Sequence, residues 1–394
     1  GWGGRYWILV KLTTDTGLIG WGECYAASVG PKAMAHVIAD VFGRHMQNEH
    51  PENIEKMFRR VYSSGFTQRP DLTVMGAFSG LEIACWDILG KHRNRPVWAL
   101  LGGKMNDRIR AYTYLYPLPH HDPVAFWTSP EMAAESATDC VQRGYTAVKF
   151  DPAGPYTLRG GHMPAQSDIT LSVAFCKAIR GAIGDQADLL FGTHGQFSTA
   201  GAIRLGQALE PYSPLWFEEP VPPDNLLEFH KIAKAVRIPV AAGERLTTKA
   251  EFATLLQTGG AEILQPALGR AGGLRETKKI AAIAEVFNAQ LAPHLYAGPV
   301  EWAANIQLAV STPNLLMAET IETPFHSALI CNALCVENGY ITAPETPGLG
   351  IQVDEALARA HPYHGSGLHL EMQEDPCNYQ SGNAFLGGAP PARQ

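Results

Sequence analysis

Two glutamates stand at the ends of short apolar runs, Glu218 after LWF and Glu244 after VAAG. If those runs are neighbouring strands, the two carboxylates converge, and such a pair suits a hard divalent cation such as Mg²⁺. Successive strand residues point to opposite faces, so only one of Glu218 and Glu219 can share a side with Glu244. The other interpretation of the pair is a surface cluster of salt bridges, which contributes little to stability.

Three residues at the ends of other apolar runs have the chemistry for proton transfer, namely Lys149, His194 and His294. A histidine titrates near neutral pH and can act as acid or base. A lysine beside a metal ion and a second cation has a lowered pKa, so it can also accept a proton. Further candidates, for which an ordinary structural or exposed role is equally expected, are Asp151, Glu319 and Tyr25.

These residues lie in a part of the chain where strand-like and helix-like segments alternate. The strand-like segments are 109–114, 147–151, 188–194, 215–218, 240–244, 262–267, 290–294 and 315–320. The amphipathic segments between them are 130–143, 172–183, 199–209, 225–236, 248–258, 274–287 and 300–311. Eight strands in strict alternation with helices predict a closed (β/α) barrel. A doubly wound open sheet also alternates, but no Gly-x-Gly-x-x-Gly follows the first strand.

Barrel enzymes place their active sites at the carboxyl ends of the strands. In this sequence, most of the predicted strands end in an ionisable residue that follows an apolar run. One charged residue at a strand end is usually a solvated loop residue. Convergence of several on one rim is harder to explain that way, and it predicts a catalytic site there.

The amino-terminal part has a different pattern. Residues 6–24 predict a β-hairpin around a Thr-Asp-Thr-Gly turn, and helical periodicity follows over 33–42, 54–62 and 74–91. Strands followed by helices indicate an α+β unit. We therefore predict a capping domain over 1–108, completed by part of 346–394, and a barrel domain over 109–345. Residues 364–394, rich in Gly, Pro, Asn and Gln, predict an extended tail.

Composition narrows the class of protein. The chain has 394 residues, 46% apolar and 18% charged, which is typical of globular proteins. A net charge of −7 gives no signal for nucleic acid. No apolar run of about 18 residues is evident, which predicts no membrane span. The seven cysteines form no Cys-x-x-Cys pair, which favours reduced thiols in a cytoplasmic protein. We expect a homo-oligomer.

Five segments together resemble the mandelate racemase subgroup of the enolase superfamily, over about residues 5–355. They are TGLIGWGEC at 16–24, IACWDILGKHRNRPVWALLGG at 83–103, FEEP at 217–220, AGER at 242–245 and PH at 293–294. Each motif is short, but their order and spacing make the resemblance specific. Within the subgroup, GTH at 192–194 and LEPY at 209–212 look most like galactonate and mannonate dehydratases.

The resemblance implies an α/β fold, a TIM-type barrel with an α+β amino-terminal capping domain. It also implies a metal-assisted dehydratase of a sugar acid, a small hydroxy-carboxylate. Glu218, rather than Glu219, and Glu244 would bind Mg²⁺, and Lys149 or His294 would remove the α-proton. Three more roles are implied: the departing hydroxyl would be protonated by His194, the substrate carboxylate hydrogen-bonded by Glu319, and its distal end touched by Tyr25. Asp151 would be a further substrate contact.

The sequence departs from the family pattern at two places. Gly192 stands where the family usually has the first aspartate ligand, and Ala267 stands where an aspartate often pairs with the base histidine. Glycine has no ligating side chain, so His194 or Asp151 would have to fill the gap, or metal binding would be weak. A nitrogen ligand would favour Mn²⁺ or Zn²⁺ over Mg²⁺.

Two alternatives to dehydration stay open. A racemase, epimerase or cycloisomerase on the same scaffold would use Lys149 and His294 on opposite faces of the substrate. A non-catalytic relative is also conceivable, because Gly192 and Ala267 remove two acidic residues that the family uses. Fold resemblance alone does not decide among these functions.

Overall fold

The structure is a computed structural model that describes residues 6–151, 158, 160–331 and 334–370. Its first element is the predicted hairpin, whose strands pair antiparallel with Ile8 opposite Cys24. Four helices follow the hairpin. The bounds of these elements are β1 (Ile8–Thr13), β2 (Ile19–Cys24), α1 (Pro31–His45), α2 (Ile54–Ser64), α3 (Leu72–His92) and α4 (Val97–Leu100).

Helix α3 is the core of this amino-terminal region. Sixteen consecutive residues from Met75 to Gly90 are buried. A Cβ atom at Gly22 of β2 would lie 1.8 Å from the carbonyl oxygen of Gly80, so glycine lets strand and helix pack in close contact. By length and composition alone α3 could cross a membrane, contrary to the expectation from the sequence. However, 83% of its most apolar window is buried inside the protein, as in a core helix.

A parallel barrel follows, as predicted. Its eight strands are β3 (Arg108–Tyr114), β4 (Ala147–Phe150), β5 (Asp188–Gly192), β6 (Trp216–Glu218), β7 (Val240–Ala242), β8 (Ile263–Leu264), β9 (Gln290–Leu291) and β10 (Ala318–Thr320). They pair in the order β10-β3-β4-β5-β6-β7-β8-β9. A parallel bridge between Leu291 and Leu315 joins the two ends of this order and closes the barrel. The predicted fold class is thereby confirmed.

Each strand or its immediate flank contributes one buried side chain to the barrel interior. Large and small residues alternate around much of this layer, which fills the interior and makes it a packed core. The layer consists of Tyr112, Ala147, Leu190, Trp216, Ala241, Ile263, Ala292 and Met317.

Helices lie between the strands, as the alternating pattern predicts. Their bounds are α5 (Pro130–Gln142), α6 (Gln166–Ile183), α7 (Thr199–Leu209), α8 (Leu226–Ala235), α9 (Thr248–Gln257), α10 (Leu268–Ala271), α11 (Gly273–Val286), α12 (Pro299–Val310) and α13 (Pro324–Leu329). Short 3₁₀ turns cover Ala125–Thr128 and Glu210–Tyr212.

The last described residues add small elements outside the barrel. These are β11 (Ile330–Cys331), β12 (Tyr340–Thr342), β13 (Gln352–Val353) and α14 (Glu355–Ala360). Strand β12 pairs antiparallel with β3, and β13 pairs with β11. In the predicted tail, His369 is buried, with its ring nitrogens near the carbonyl oxygens of Tyr6 and Tyr296. Residues 371–394 lie outside the described residues, and the predicted domain boundaries stay a prediction.

Buried carboxylates join the amino-terminal region to the barrel. Glu82 of α3 accepts hydrogen bonds from the backbone N–H groups of Leu274 and Arg275, both at 2.9 Å, where α11 begins. Glu23 of β2 accepts from Gly298 at 2.6 Å and Glu301 at 3.1 Å, where α12 begins. Helix amino termini have unpaired N–H groups, so both carboxylates act as caps. We call Glu23 and Glu82, with the helix ends they cap, the seam.

Candidate active site

Lys149 lies at the centre of the carboxyl rim of the barrel. It is the third residue of β4, fully buried, and its Nζ is 2.5 Å from Glu218 Oε1 and 3.3 Å from Glu319 Oε1. Burial alone would lower the pKa of Lys149. The carboxylates of Glu218, Glu319 and Glu244 more than offset this and raise that pKa well above its usual value. Lys149 is therefore a fixed ammonium group that links three strands of the rim.

Glu218 and Glu219 point to different partners. Glu218 uses its second oxygen, Oε2, to accept a 2.6 Å hydrogen bond from Gln265 Nε2. Glu219 instead lies 3.4 Å from Arg245 Nη1, with a left-handed backbone φ of 40°. This arrangement places Glu218 on the same side as Lys149, and the alternation of the strand explains why Glu219 is not there.

Glu319, at the end of the eighth strand, also faces the rim. Its Oε2 accepts a 2.7 Å hydrogen bond from the backbone N–H of Leu295, next to His294. Burial raises the pKa of Glu319 despite the nearby Lys149 ammonium. Glu319 therefore contacts Lys149 on one side and the His294 segment on the other.

His194 and Asp151 form a close pair on the ends of neighbouring strands. His194 Nδ1 is 2.6 Å from Asp151 Oδ2, and Asp151 is fully buried while the histidine side chain is 23% exposed. A carboxylate can only accept, so Nδ1 carries the proton. Burial alone would lower the pKa of His194, but the hydrogen bond and charge of Asp151 raise it. The pair has the arrangement of a histidine oriented by a carboxylate for proton transfer.

His294 lies between an acidic and a basic partner. Its Nε2 is 3.1 Å from Glu244 Oε2, and its Nδ1 is 3.0 Å from Arg270 Nη2. An arginine has only donors, so Nδ1 accepts and Nε2 carries the proton toward Glu244. Burial, together with Arg270, lowers the pKa of His294 well below its usual value, against the effect of Glu244. His294 is therefore neutral at neutral pH.

Tyr25 follows β2 and reaches the barrel rim. It is buried, and the Arg270 guanidinium carbon is 4.3 Å from its ring centroid, a cation–π contact. Burial raises the pKa of the Tyr25 phenol. The amino-terminal region thus contributes a side chain to the rim, and it does so through Arg270.

The structure brings most of the predicted residues into one rim network and sets His194 and Asp151 as a pair on neighbouring strand ends. Two members of the network were missed in the sequence. Lys149, Glu218, Glu319, Glu244 and His294 are connected by the contacts described above. The missed residues are Gln265 and Arg270. Both follow the sixth strand, and Arg270 is the one charged residue in the small and apolar run PALGRAGG, a signal that was available. The functional roles of all these residues stay predictions.

The described residues do not fit the full set of metal ligands that the family resemblance implies. Glu218 has both oxygens engaged by Lys149 and Gln265, whereas Glu244 Oε2 lies 3.1 Å from His294 Nε2 but is buried without a hydrogen-bond partner. Gly192 offers no third carboxylate, and a Cβ there would lie 3.2 Å from Tyr114 Oη and 3.5 Å from Lys149 Cε. A divalent ion bound by Glu218 would lie near the Lys149 ammonium, whose charge opposes its binding. The assignment of Glu218 and Glu244 as ligands stays a prediction.

Another group of candidate ligands lies on the loop after β3 and on α5. His120, His121 and Glu135 have ligand atoms within 4.8 Å of one another. However, His121 Nδ1 accepts a hydrogen bond from the backbone N–H of Leu118, so its Nε2 carries the proton and donates it to Glu135. That nitrogen has no lone pair available for a metal, and the group is a hydrogen-bonded cluster.

Comparisons with known proteins identify the family of the chain. A family model for the mandelate racemase / muconate lactonizing enzyme N-terminal domain matches residues 4–102, and one described as enolase C-terminal domain-like matches residues 131–357. A D-gluconate/D-galactonate dehydratase of Picrophilus torridus is 35% identical over 362 residues, covering 91% of this chain and 89% of that protein. A D-xylonate dehydratase of Haloferax volcanii is 33% identical over 376 residues, covering 93% of this chain and 88% of that protein.

Solved structures are more similar still. A mandelate racemase/muconate lactonizing enzyme-like protein from Roseovarius sp. TM1035 is 78% identical, with a TM-score of 0.95, and the match covers 96% of each chain. The family resemblance found in the sequence is thereby confirmed. With the barrel, the amino-terminal α+β region and the rim network all in place, the chain belongs to the mandelate racemase/muconate lactonizing enzyme family of the enolase superfamily.

Proposed function

We propose that this chain is a lyase that dehydrates a sugar acid, a small hydroxy-carboxylate. The reaction removes the proton on the carbon next to the carboxylate and expels the β-hydroxyl as water. The resulting enol then tautomerises to a 2-keto-3-deoxy acid. Two findings support the proposal: the relatives named as sugar acid dehydratases, and the His194–Asp151 pair at the barrel rim.

The His194–Asp151 pair is the observation that carries the proposal. Expulsion of hydroxide requires a proton donor, because hydroxide is a poor leaving group without one. Asp151 raises the pKa of His194, which favours its protonated form near neutral pH. The His194 side chain is also 23% exposed, so a substrate can reach it. It would protonate the β-hydroxyl as the bond breaks.

His294 is the better candidate of the two for removal of the α-proton. Lys149 is held as a cation by two carboxylates and cannot accept a proton in that state. His294 is neutral, and its one lone pair, on Nδ1, accepts from Arg270 Nη2 in this structure, so His294 would take the α-proton once Arg270 donates to the substrate instead. Lys149 would instead stabilise the negative charge that develops on the substrate when the proton leaves.

The metal-assisted form of the reaction stays a prediction. In the metal-assisted form of the reaction, Glu218 and Glu244 would hold a divalent cation, which would supply further stabilisation of the enediolate. The contacts of Glu218 with Lys149 and Gln265 support weak binding. Every step above is therefore assigned to side chains of this chain.

A screen of acid sugars for keto-acid product, with and without Mg²⁺, tests the proposal. We expect at least one aldonate to give product, and both Lys149→Ala and His294→Asn to reduce turnover of that substrate. A panel without keto-acid product would contradict the dehydratase assignment. Unchanged turnover in both variants would contradict the roles given to these residues.

A further inference from the structure

Arg270 is a buried cation at the rim without an acidic partner among the described residues. Its side chain is 94% buried, since its exposed fraction is 6%. Nη2 donates to His294, and Nε is buried with no hydrogen-bond partner. Within the described part of the chain, no carboxylate lies within ion-pair distance of this guanidinium. Glu244 and Glu301 are near enough to sense its charge, but neither pairs with it.

The other cations of the rim differ from Arg270 in this respect. Lys149 contacts Glu218 and Glu319 directly. Arg245 lies 3.4 Å from Glu219 and 3.9 Å from Glu244. Their charges are therefore compensated inside the protein, and only the charge of Arg270, among these three cations, lacks a bonded counterion.

Burial of a charge without a counterion is strongly unfavourable, and arginine cannot relieve it by losing its proton. The backbone nevertheless fixes Arg270 at this position. Its N–H donates to Ala267, and its carbonyl oxygen accepts a 2.5 Å hydrogen bond from Thr247 Oγ1. Tyr25 packs on the guanidinium from the amino-terminal region. A fixed, unpaired guanidinium of this kind is suited to bind an anion from solution.

We propose that Arg270 binds the carboxylate of the substrate. A guanidinium matches a carboxylate with two parallel N–H···O bonds, and the unpaired Nε and a neighbouring terminal nitrogen provide that edge. The inference rests on the proposed function only for the identity of the acid. It explains how this chain holds an acid although Gly192 and Ala267 replace two acidic residues of the family pattern.

This placement also orients the reaction. A carboxylate on Arg270 is next to His294, because His294 contacts the same guanidinium. The α-carbon is one bond from the carboxylate, so its proton comes close to the histidine that would remove it. Tyr25 would then contact the carboxylate end of the substrate through Arg270, whereas the sequence resemblance implied contact with the distal end.

Binding of acids and of their neutral counterparts tests the inference. Calorimetry would compare D-gluconate, D-galactonate and D-xylonate with the matching alditols for the full-length parent, Arg270→Gln and a control, Arg275→Gln. Arg275 is a partly exposed arginine bonded to Glu55, close in sequence to Arg270. We expect the parent and the control to bind at least one acid and no alditol. In Arg270→Gln the dissociation constant of that acid should rise by roughly 30-fold or more, the usual effect of truncating one partner of a buried charge pair.

The thermal stability of the ligand-free variants separates binding from a structural role. We expect the Tm of Arg270→Gln to equal or exceed that of the parent, because the substitution removes an uncompensated buried charge. If the Tm of Arg270→Gln falls instead, the binding test is repeated with Arg270→Lys. Its affinity for the acid should then lie between those of the parent and of Arg270→Gln. Parent-like affinity in Arg270→Lys would overturn the two-bond arrangement.

The remaining outcomes distinguish the role proposed for Arg270 from the proposed dehydratase function. Unchanged acid binding in Arg270→Gln, or equal binding of acids and alditols to the parent, would overturn the role of Arg270, and keto-acid formation would still support the dehydratase. Loss of acid binding in the variant without keto acid from the parent would support Arg270 and overturn the dehydratase. Failure of every acid to bind the parent would overturn the role of Arg270.

Discussion

Buried glutamates occur in two regions of this molecule, and their hydrogen-bond partners differ between the two regions. At the seam, Glu23 and Glu82 accept hydrogen bonds from backbone N–H groups at the first residues of barrel helices. At the rim, Glu218, Glu244 and Glu319 face side-chain cations and an imidazole. Backbone donors are fixed and do not titrate, whereas side-chain partners can move and exchange protons. We therefore expect the seam glutamates to stabilise the fold and the rim side chains to take part in the reaction.

The largest effect on activity is expected at His194 and Asp151, the histidine–carboxylate pair at the rim. His194→Asn and Asp151→Asn should each lower kcat by roughly 10²–10⁴-fold, the range for loss of a general acid or base. Steady-state kinetics with the true substrate measures this. Because Asp151 raises the pKa of His194, the alkaline limb of the rate profile should move to lower pH in Asp151→Asn.

His120→Asn is a matched control for that prediction. His120 also pairs with a carboxylate, at 2.9 Å from Glu135, but it is exposed and outside the rim network. The control should keep parental kcat and the parental pH profile. Equal loss in His120→Asn, or full activity in His194→Asn, would show that the rim pair has no special role.

At the seam, substitution should reduce stability and leave chemistry unchanged. Glu82→Ala leaves the N–H groups of Leu274 and Arg275 without an acceptor, and Trp86 loses its 2.7 Å bond. The free energy of unfolding should fall by about 2–4 kcal/mol, since each buried unsatisfied donor costs about 1–3 kcal/mol. Denaturant titration checks this, with exposed Glu131→Ala expected within about 0.5 kcal/mol of the parent. A Glu82→Ala protein as stable as the parent would contradict the capping role.

Gly192→Asp tests whether a third carboxylate at the rim is enough to give tight binding of a divalent metal ion. The new side chain would extend toward Tyr114 and Lys149, where a Cβ has ordinary or slightly tight contacts. We expect weak Mg²⁺ and Mn²⁺ binding by the parent and roughly tenfold or more tighter binding by the variant, because affinity rises with carboxylate count. Calorimetric titration of both ions measures it. Tight binding by the parent, unaffected by the substitution, would mean that another residue already serves as the ligand.

The seam should also show a pH dependence of stability. Burial, with the charge of Glu301, raises the pKa of Glu23 from 4.5 to about 8 despite its backbone hydrogen bonds. The stabilisation from a protonated Glu23 is therefore fully present below pH 4.5 and is lost as the pH rises to about 8. Glu23→Gln mimics the protonated form and does not titrate. As the pH rises through this window, the Tm of Glu23→Gln minus that of the parent should therefore increase by a few degrees. A constant difference in Tm would show that Glu23 does not titrate there.

Much of the fold could be predicted from the sequence, because apolar runs and helical periodicity mark the barrel elements directly. Strand β4 was expected at 147–151 and covers Ala147–Phe150. The expected strand at 262–267 is only Ile263–Leu264, since Pro266 cannot donate to a ladder and α10 begins soon after. Strand lengths depend on pairing with neighbours, which the local sequence does not specify.

The sequence predicted which residues belong to the site better than it predicted which of them contact each other. Residue type and position at strand ends pointed to Lys149, His194 and His294. The sequence could not show that Arg270, and not an acid at position 267, contacts His294 Nδ1. That contact joins a helical turn to another strand end, so it depends on tertiary packing. Local patterns likewise gave no sign that Lys149 is held by two carboxylates and is thus a poor base.

Proton NMR of the reaction in deuterated water tests the central claim most directly. With an acid sugar that the screen identifies, the dehydratase account predicts loss of the α-proton signal together with accumulation of a 2-keto-3-deoxy acid. His194→Asn should abolish the keto acid. Loss of the α-proton signal without keto acid would contradict the account and would identify a racemase or epimerase that shuttles one proton on the same scaffold.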